Sequence, residues 1–276
     1  MIVDRINKYL SSKELKINDY IADNIGTLAK WSFKRQFMEN GNSHSKISMS
    51  ACGKCTRQLA YKYHDIPQNG KELDSRAKIV FWQGDLVETM ITELAKLAGV
   101  NIMATGLNQL SLTTPVEKTV PLAESETVEV PGHPDGIVLS DETYLFECKS
   151  MSSYAFRTFE KGEIDDSYRA QVNIYMDALK LNACVIVAMS KDSGVLGELI
   201  VKKDFDIVQK CHDNLETVLN SDRKKLPRGW YEPNDKGLYP WQCLYCSWHG
   251  LCKPNAEKVL VGKAYKLKEK VKKEAI

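Results

Sequence analysis

The sequence predicts an α/β fold in one domain, and three features of its pattern indicate that class. Apolar residues recur at helical spacing in two long segments, 17–39 and 75–98. Between 101 and 150 the pattern changes to alternating and β-branched stretches broken by prolines, which is typical of strands. The run 183–189 is continuous and apolar, as expected of a buried strand. Helices on both sides of a strand-rich centre favour one central sheet, mixed or mostly antiparallel.

Local signals place the elements in chain order. Helices are predicted at 2–10, 17–39, 54–64, 75–98, 165–181 and 205–220, and a second hairpin arm at 199–203 follows the buried strand. Gly99 predicts the end of the fourth helix, because glycine accepts the left-handed backbone found there. Asp165, Asp166 and Ser167 are candidate caps for the fifth. A loop is predicted at 41–50.

The predicted single domain, 1–276, divides into four parts. They are an N-terminal helical part at 1–64, a core at 75–222, a cysteine-containing segment at 227–254 and a basic tail helix at 255–276. The tail is distinctive because residues 253–276 carry eight lysines and three glutamates, a net charge of +5. Such a segment can attract phosphates, although a solvated terminal helix is the commoner explanation and the one we prefer.

Bulk composition narrows the class of protein. The chain has 276 residues, of which 43% are hydrophobic and 27% charged, which is ordinary for a globular protein. The net charge of +2 excludes a uniform basic coat. No stretch approaches the roughly 20 apolar residues of a membrane-spanning helix, and the N-terminal residues do not resemble a secretion signal. We therefore expect no membrane association and a cytoplasmic location.

Residues 132–150 contain a predicted β-hairpin that carries two acids and a lysine. Two apolar stretches flank a polar turn at 140–142. Side chains alternate along a strand, so Glu147 and Lys149 share one face while the residues beside them point toward the core. A turn of odd length would place Asp135 opposite Glu147, although the sequence does not fix that register.

In that register two carboxylates and an ammonium group converge on one patch. Carboxylates this close repel each other unless a cation lies between them. Oxygen ligands suit Mg²⁺ or Mn²⁺, which can activate water and stabilise charge on a scissile phosphate. Lys149 could orient or deprotonate that water, or neutralise the phosphate. The competing interpretation is a surface hairpin with a Glu–Lys pair, but Asp135, between proline and glycine, favours the metal site.

The helix at 75–98 carries an acid on an apolar stripe. The stripe consists of Phe81, Gly84, Glu88, Ile91 and Ala95. A buried carboxylate needs a partner, because burying it alone is costly. For Glu88 that partner would be a metal shared with the two hairpin acids, or a buried lysine or arginine. Alternatively, Glu88 lies at the edge of the stripe and reaches water.

The helix at 165–181 places two polar residues on one face. Gln171 and Tyr175 are four positions apart and are therefore neighbours on the helix surface. Gln171 can hold the lysine or a phosphate oxygen, and Tyr175 can donate a hydrogen bond to a phosphate. Taken alone, such a pair is more often a polar edge of the core.

Five of the eight cysteines fall in two clusters. The early cluster is Cys52 and Cys55, and the late cluster is Cys243, Cys246 and Cys252. Two C-x-x-C pairs, one from each cluster, would make a zinc site of four thiolates and leave Cys252 spare. The isolated cysteines, Cys148, Cys184 and Cys211, are expected to be small buried side chains.

Four short elements occur in a fixed order along the chain. They are Gly84-x-x-x-Glu88, His133-Pro-Asp135-Gly, Glu147-Cys-Lys149 and Gln171-x-x-x-Tyr175. In this order, framed by cysteines, they resemble the RecB-like branch of the PD-(D/E)XK nucleases. The chain is similar to the stand-alone members with an iron–sulfur cluster, such as the CRISPR-associated RecB-like exonucleases and their phage relatives. The resemblance runs from about residue 48 to residue 252.

The resemblance implies a fold and a set of metal ligands. The fold is a restriction-endonuclease-like core, a central mixed sheet flanked by helices, with a helical, cysteine-stapled cap from the N- and C-terminal parts. The implied ligands of Mg²⁺ or Mn²⁺ are Asp135, Glu147 and the backbone carbonyl of Cys148, together with Glu88. This chain departs from many close relatives at Glu88, where they have a histidine. A glutamate there occurs in the wider superfamily and can still bind a metal ion.

The resemblance also implies roles for the remaining site residues. Lys149 would be the catalytic lysine, and Gln171 and Tyr175 would position that lysine and the DNA.

The same resemblance favours a [4Fe–4S] cluster over zinc at the cysteines. Its ligands would be Cys55, Cys243, Cys246 and Cys252. Cys55 is preferred to Cys52 because Cys55-Thr-Arg matches a Cys-x-Arg element of the family. The nearest of these ligands in sequence are separated by 188 positions, so the centre would close a long loop and restrict the unfolded chain strongly.

The expected activity is that of a metal-dependent DNA exonuclease. It would hydrolyse phosphodiester bonds from single-stranded or frayed ends during recombination, repair or DNA processing in a bacterial, archaeal or phage-infected cell. Homo-oligomers are compatible with the resemblance. Two alternatives stay open, a catalytically silent module that binds DNA ends with the same fold, and an RNA nuclease, since nothing in the sequence reads a 2′-hydroxyl.

Overall fold

A computed structural model describes residues 1–12, 19–38, 46–69, 75–120, 125–262 and 264–270. The chain separates into two compact units. The first unit consists of Met1–Gly53, Ser75–Val116 and Val128–His212. The second unit consists of Lys54–Asp74, Glu117–Thr127 and Asp213–Ile276. The N-terminal part predicted at 1–64 is therefore divided between the two units.

The described residues form a mixed α/β fold. Its helices are α1 (Ile2–Leu10), α2 (Asp19–Phe37), α3 (Thr56–Tyr63), α4 (Ser75–Leu97), α5 (Ser153–Phe159), α6 (Asp166–Ala178), α7 (Phe205–Leu219), α8 (Trp241–Leu244) and α9 (His249–Cys252). Its strands are β1 (Ile102–Met103), β2 (Leu112–Lys118), β3 (Glu126–Gly132), β4 (Gly136–Leu139), β5 (Thr143–Met151), β6 (Ala183–Ser190), β7 (Leu196–Lys202), β8 (Ala256–Val261) and β9 (Ala264–Glu269).

A five-stranded sheet in the order β1-β4-β5-β6-β7 organises the first unit. Strands β5 and β6 are parallel, and the other neighbours are antiparallel, so the predicted mixed sheet is confirmed. Strand β6 is buried along most of its length, as its apolar sequence predicts. Helices α1 and α4 cover one face, where Ile6, Ile91 and Ala95 are fully buried against the strands.

Local chemistry accounts for the ends of the two helices that matter most for the site. Gly99 has a φ of +78°, and the amide of Val100 donates to the carbonyl of Ala95 at 3.0 Å, which ends α4 as predicted. At the start of α6, the Asp165 side chain accepts a hydrogen bond from the Ser167 amide at 2.9 Å. The cap predicted at this helix is thereby confirmed.

The basic tail helix predicted at 255–276 is wrong for its described residues. Strands β8 and β9 form an antiparallel hairpin there, with Gly262 at a φ of +64° in the turn. Leu267 is buried against Tyr239 and Cys243 in the core of the second unit, while Lys266 is exposed. Six residues of β8 pair with six of β9, from Ala256 with Glu269 to Val261 with Ala264, which a helix cannot provide. Residues 271–276 lie outside the described part of the chain.

Three smaller differences concern the first unit. Helix α5 was not predicted, although Ser152 caps it and Phe156 and Phe159 pack into the core at helical spacing. Phe81, placed on the buried stripe of α4, is 48% exposed. The loop predicted at 41–50 falls largely on 41–45, which lie outside the described residues, and its end forms a 3₁₀ turn, Met49–Ala51.

Gly99→Ala should destabilise the protein by about 1 kcal/mol, because an L side chain strains a left-handed backbone while no neighbouring atom lies within 4 Å of its Cβ. The matched control is Gly26→Ala in the interior of α2, which is equally uncrowded and should be neutral or stabilising. Urea denaturation of both variants tests the prediction. Equal stabilities would contradict the proposed role of the backbone.

Candidate active site

The hairpin of β4 and β5 brings the two predicted acids together. Leu139 pairs with Thr143 and Gly136 with Phe146, so the register is the one centred on the turn at 140–142. Continuing it by one residue places Asp135 opposite Glu147. The chosen register is confirmed. Moreover, the Cys148 amide donates to Asp135 Oδ2 at 2.8 Å, which fixes the aspartate beside β5.

Glu147 is almost completely buried, yet only one of its two oxygens is satisfied. Oε1 accepts hydrogen bonds from the ammonium of Lys149 and from Gln171 Nε2, the latter at 3.0 Å. Among the residues that the structure describes, no donor reaches the buried Oε2. A buried carboxylate oxygen without a partner is costly, so this atom is suited to a cation.

The carboxylates of this site repel one another. Burial and the neighbouring charge of Glu147 raise the pKa of Asp135 well above its usual value. Burial, Glu147 and Asp85 together raise the pKa of Glu88 to about 7. Asp135 and Glu88 therefore resist ionisation beside the charge of Glu147, and a cation shared by these carboxylates would relieve the repulsion.

Lys149 is the cation that the structure places among these acids. Burial alone would lower the pKa of its ammonium, but Glu147 and Asp135 attract the charged form and raise the pKa above its usual value. Its Nζ also lies 4.8 Å from the centre of the Tyr168 ring. The adjacent acids therefore hold Lys149 as a protonated ammonium.

Gln171 and Tyr175 lie on the same side of α6, as predicted. Gln171 reaches Glu147, whereas the Tyr175 hydroxyl accepts a hydrogen bond from the His133 amide at 3.3 Å. Burial raises the pKa of Tyr175 to about 12, so its hydroxyl remains a donor. Gly132 permits this approach, since a Cβ there would lie 2.5 Å from the tyrosine ring.

Glu88 projects from α4 toward the same group of charges but has a partner of its own. Gln109 Nε2 donates to Glu88 Oε1 at 3.1 Å. One turn earlier, Asp85 pairs with Arg35 at 2.6 Å. Arg35 is exposed and engaged with Asp85, so it is not the buried cation considered as a partner for Glu88. Glu88 is held by an amide instead.

The oxygen donors of this site fit a small divalent cation. Mg²⁺ is commonly held by one or two carboxylates and completes its shell with water. Asp135 and Glu147 supply two carboxylates, and among the described residues Glu147 Oε2 has no hydrogen-bond partner. Within the described ranges, no three histidine, cysteine or acidic side chains are already arranged to hold a metal ion. The site therefore suits a metal ion bound by two carboxylates and water, and not one surrounded by protein ligands alone.

The predicted cluster cysteines meet in the second unit. Cys55, Cys243, Cys246 and Cys252 line one small pocket together with His249 and Lys253. A side chain at Gly229 would lie 3.6 Å from the sulfur of Cys55 and 3.8 Å from that of Cys252. The Trp230 amide donates to the Cys55 sulfur at 3.4 Å. Four thiols around one cavity are a set of soft ligands, the kind that suits zinc or an iron–sulfur cluster.

The remaining cysteines lie elsewhere. Cys52 is buried in the first unit and contacts Cys211. The three isolated cysteines, Cys148, Cys184 and Cys211, are all buried, as predicted. Burial raises the pKa of Cys243 to about 12, and the pKa values of Cys246 and Cys252 also rise. These thiols are therefore protonated at neutral pH, and binding a metal centre would release protons.

Two residues that contact the site were not predicted from the sequence. Tyr168 could have been found, because positions 168, 171 and 175 share one face of a helix. Gln109 could not, because it follows a short 3₁₀ turn and reaches Glu88 only through tertiary structure.

Comparison with solved structures identifies a protein with the same fold. The chain is similar to SSO0001, with a TM-score of 0.50, 18% sequence identity and coverage of 82% of this chain and 95% of that one. At this identity the likeness shows a shared fold alone. No family model and no curated protein matches the chain.

Two weaker structural likenesses involve the alkaline exonuclease LHK-Exo from Laribacter hongkongensis. Its complex with dAMP gives a TM-score of 0.39 at 14% identity, covering 69% of this chain and 84% of that one. A second structure of the enzyme gives 0.38 at 14% identity, covering 73% and 90%. Scores below 0.5 do not establish a common fold, so the activity of that enzyme is not transferred to this chain.

Among the described helices, none is long and apolar enough to cross a membrane.

Without added divalent ions, the first unit should lose stability as pH rises from about 4.5 to about 7, the ordinary and folded pKa values of Glu88. The folded protein holds a proton that the unfolded chain releases in this window, at roughly 1.4 kcal/mol per unit of pKa difference. Glu88→Gln should flatten the slope. Urea titrations across this range test it, with exposed Glu163→Gln as the control that keeps the slope. An unchanged slope in Glu88→Gln would contradict the assignment.

Proposed function

We propose that the protein is a metal-dependent DNA exonuclease of the RecB-like branch of the PD-(D/E)XK nucleases. One observation carries the proposal, the pairing of Asp135 and Glu147 across a hairpin with a buried, unpartnered Glu147 Oε2. Two carboxylates in that relation favour a bound Mg²⁺ or Mn²⁺ ion. The four motifs of the resemblance supply the remaining residues of such a site in one unit of the structure.

The metal ion would activate water and stabilise charge on the scissile phosphate. Asp135 and Glu147 would hold it, with the carbonyl of Cys148 as a further donor. Glu88 is proposed as an outer carboxylate of the same site, since the negative charge of Glu147 helps to raise its pKa. Gln109 would keep Glu88 oriented through its hydrogen bond.

Lys149 is better suited to stabilise charge than to remove a proton. Its ammonium is favoured by the adjacent acids, and a general base must be deprotonated to act. We therefore assign it to the negative charge that grows on the phosphate oxygens. Gln171 would orient the lysine through Glu147, and the Tyr175 hydroxyl would position the substrate backbone.

DNA with free ends is the proposed substrate, on the strength of the resemblance. A silent end-binding module would have no need to keep Asp135, Glu147, Lys149, Gln171 and Tyr175 together, and the chain has all five. Their joint presence in one unit supports catalysis. RNA remains the alternative substrate for the same chemistry.

Cys55, Cys243, Cys246 and Cys252 are proposed to bind a [4Fe–4S] cluster. Their common pocket supports this set over the pairing of two C-x-x-C motifs, because Cys252 joins the pocket while Cys52 lies in the other unit. A single zinc ion draws four thiolates to about 2.3 Å from one point. A [4Fe–4S] cluster also takes four thiolates but places them around a larger centre.

Lys149→Ala and Asp135→Asn should each lower the cleavage rate by at least about 100-fold, the effect expected when a charge-stabilising group is lost. The assay uses end-labelled single- and double-stranded linear DNA with Mg²⁺ or Mn²⁺. Lys161→Ala, an exposed lysine of the same unit, is the matched control and should cleave normally. Circular single-stranded DNA should resist, because it has no end. A parent protein that cleaves none of these substrates, or a fully active Lys149→Ala, would overturn the proposal.

The cluster proposal predicts a brown protein with broad visible absorption that is lost on oxidation. Cys252→Ser should bleach it and lower its thermal stability, while Cys52→Ala should keep the colour. The zinc alternative uses Cys52 and leaves Cys252 spare. It therefore predicts that Cys52→Ala lowers the thermal stability, while Cys252→Ser leaves it unchanged. A colourless protein with one zinc per chain would show that the cluster assignment is wrong.

A further inference from the structure

An exposed aromatic groove in the second unit shares no lining residue with the cysteine pocket. It has a volume of about 590 Å³ and is formed by the segment that precedes α8, by α8 itself and by the start of β9. Three of its lining residues are aromatic and strongly exposed: Trp241 at 58%, Tyr245 at 77% and Tyr265 at 58%. Exposed rings of this size are unusual on a surface that has no partner.

The rings come from two different elements that converge. Trp241 and Tyr245 are four positions apart and pack edge to face, with centroids 6.3 Å apart. Tyr265 belongs to the β8–β9 hairpin, whose base is anchored by buried Leu267. The anchor holds Tyr265 in place beside the groove while its ring stays open to solvent. Large rigid rings with accessible faces are what stacking on a planar ligand requires.

The charges around the groove favour an anionic partner. Lys266 lines it, and Lys258 lies 4.9 Å from the Tyr265 ring centre. The acid that lines the groove, Glu232, is paired with Arg228 at 2.8 Å, and its pKa is held below the usual value by that partner. Glu232 is therefore already paired, and it does not offset the positive charge of the lysines.

We propose that this groove binds single-stranded DNA by stacking bases on Trp241, Tyr245 and Tyr265 while the hairpin lysines contact phosphates. Proteins commonly bind single-stranded nucleic acid through exposed aromatic rings and nearby lysines. Every base can stack on a ring, and every phosphate carries a negative charge. Duplex DNA is a poorer match, since its bases are already stacked. The inference rests on the proposed function for its choice of DNA.

Binding of a fluorescent oligothymidylate, measured by anisotropy in the Lys149→Ala background, tests the groove without cleavage. Trp241→Leu and Tyr265→Ala should each weaken binding by at least about five-fold, the loss expected for one base–aromatic stack. Tyr265→Phe should retain parental affinity, because it keeps the ring. Lys266→Gln should reduce the slope of log Kd against log salt by roughly 0.7.

Tyr154→Ala is the matched control, since Tyr154 is 77% exposed but lies in the first unit. It should bind as the parent does. Circular dichroism confirms that each variant is folded. Unchanged affinity in both groove variants, equal weakening by Tyr154→Ala, or a preference for oligouridylate over oligothymidylate would overturn the inference.

The binding result is separable from the nuclease proposal. Cleavage by the parent protein with unaltered DNA affinity in the groove variants would refute the groove alone. Ring-dependent binding by a parent that never cleaves DNA would support the groove and refute the nuclease.

Discussion

Mutual repulsion among buried carboxylates is the constraint on which the active-site region depends. Asp135 and Glu147 are fixed side by side by strand pairing, and Glu88 faces them from a helix. Lys149 offsets part of this repulsion through one oxygen of Glu147, but the other oxygen is left without a donor. The fold thus maintains an unfavourable charge arrangement that a divalent ion would relieve, as is common at functional sites.

The two units differ in the ligand chemistry that they offer. The first collects carboxylate and carbonyl oxygens, which suit hard ions, and the second collects thiols, which suit soft ones. Each unit builds its donor set from its own residues. If both proposed centres form, donor chemistry alone would distinguish their metals.

The sequence predicted the sheet and most of the site because both follow short-range rules. An odd turn at 140–142 determines which acids face each other, and helical spacing determines that Gln171 and Tyr175 are neighbours. The tail was wrong because lysine-rich stretches fit a helix locally. Burial of Leu267 against Tyr239 selects the hairpin instead, and that contact is invisible to local patterns. The amide of Gln109 on Glu88 escaped prediction for the same reason.

The closure of the β4–β5 hairpin by three residues has a consequence for the order of folding. Contacts between positions close in sequence form with little loss of chain entropy, whereas the parallel pairing of β5 with β6 must first enclose the intervening helices. Asp135 and Glu147 can therefore be apposed early, in a nascent hairpin, before Gln171 arrives on α6. Charge repulsion would oppose that nascent turn, so ambient divalent ions would accelerate its formation as well as stabilise its end state.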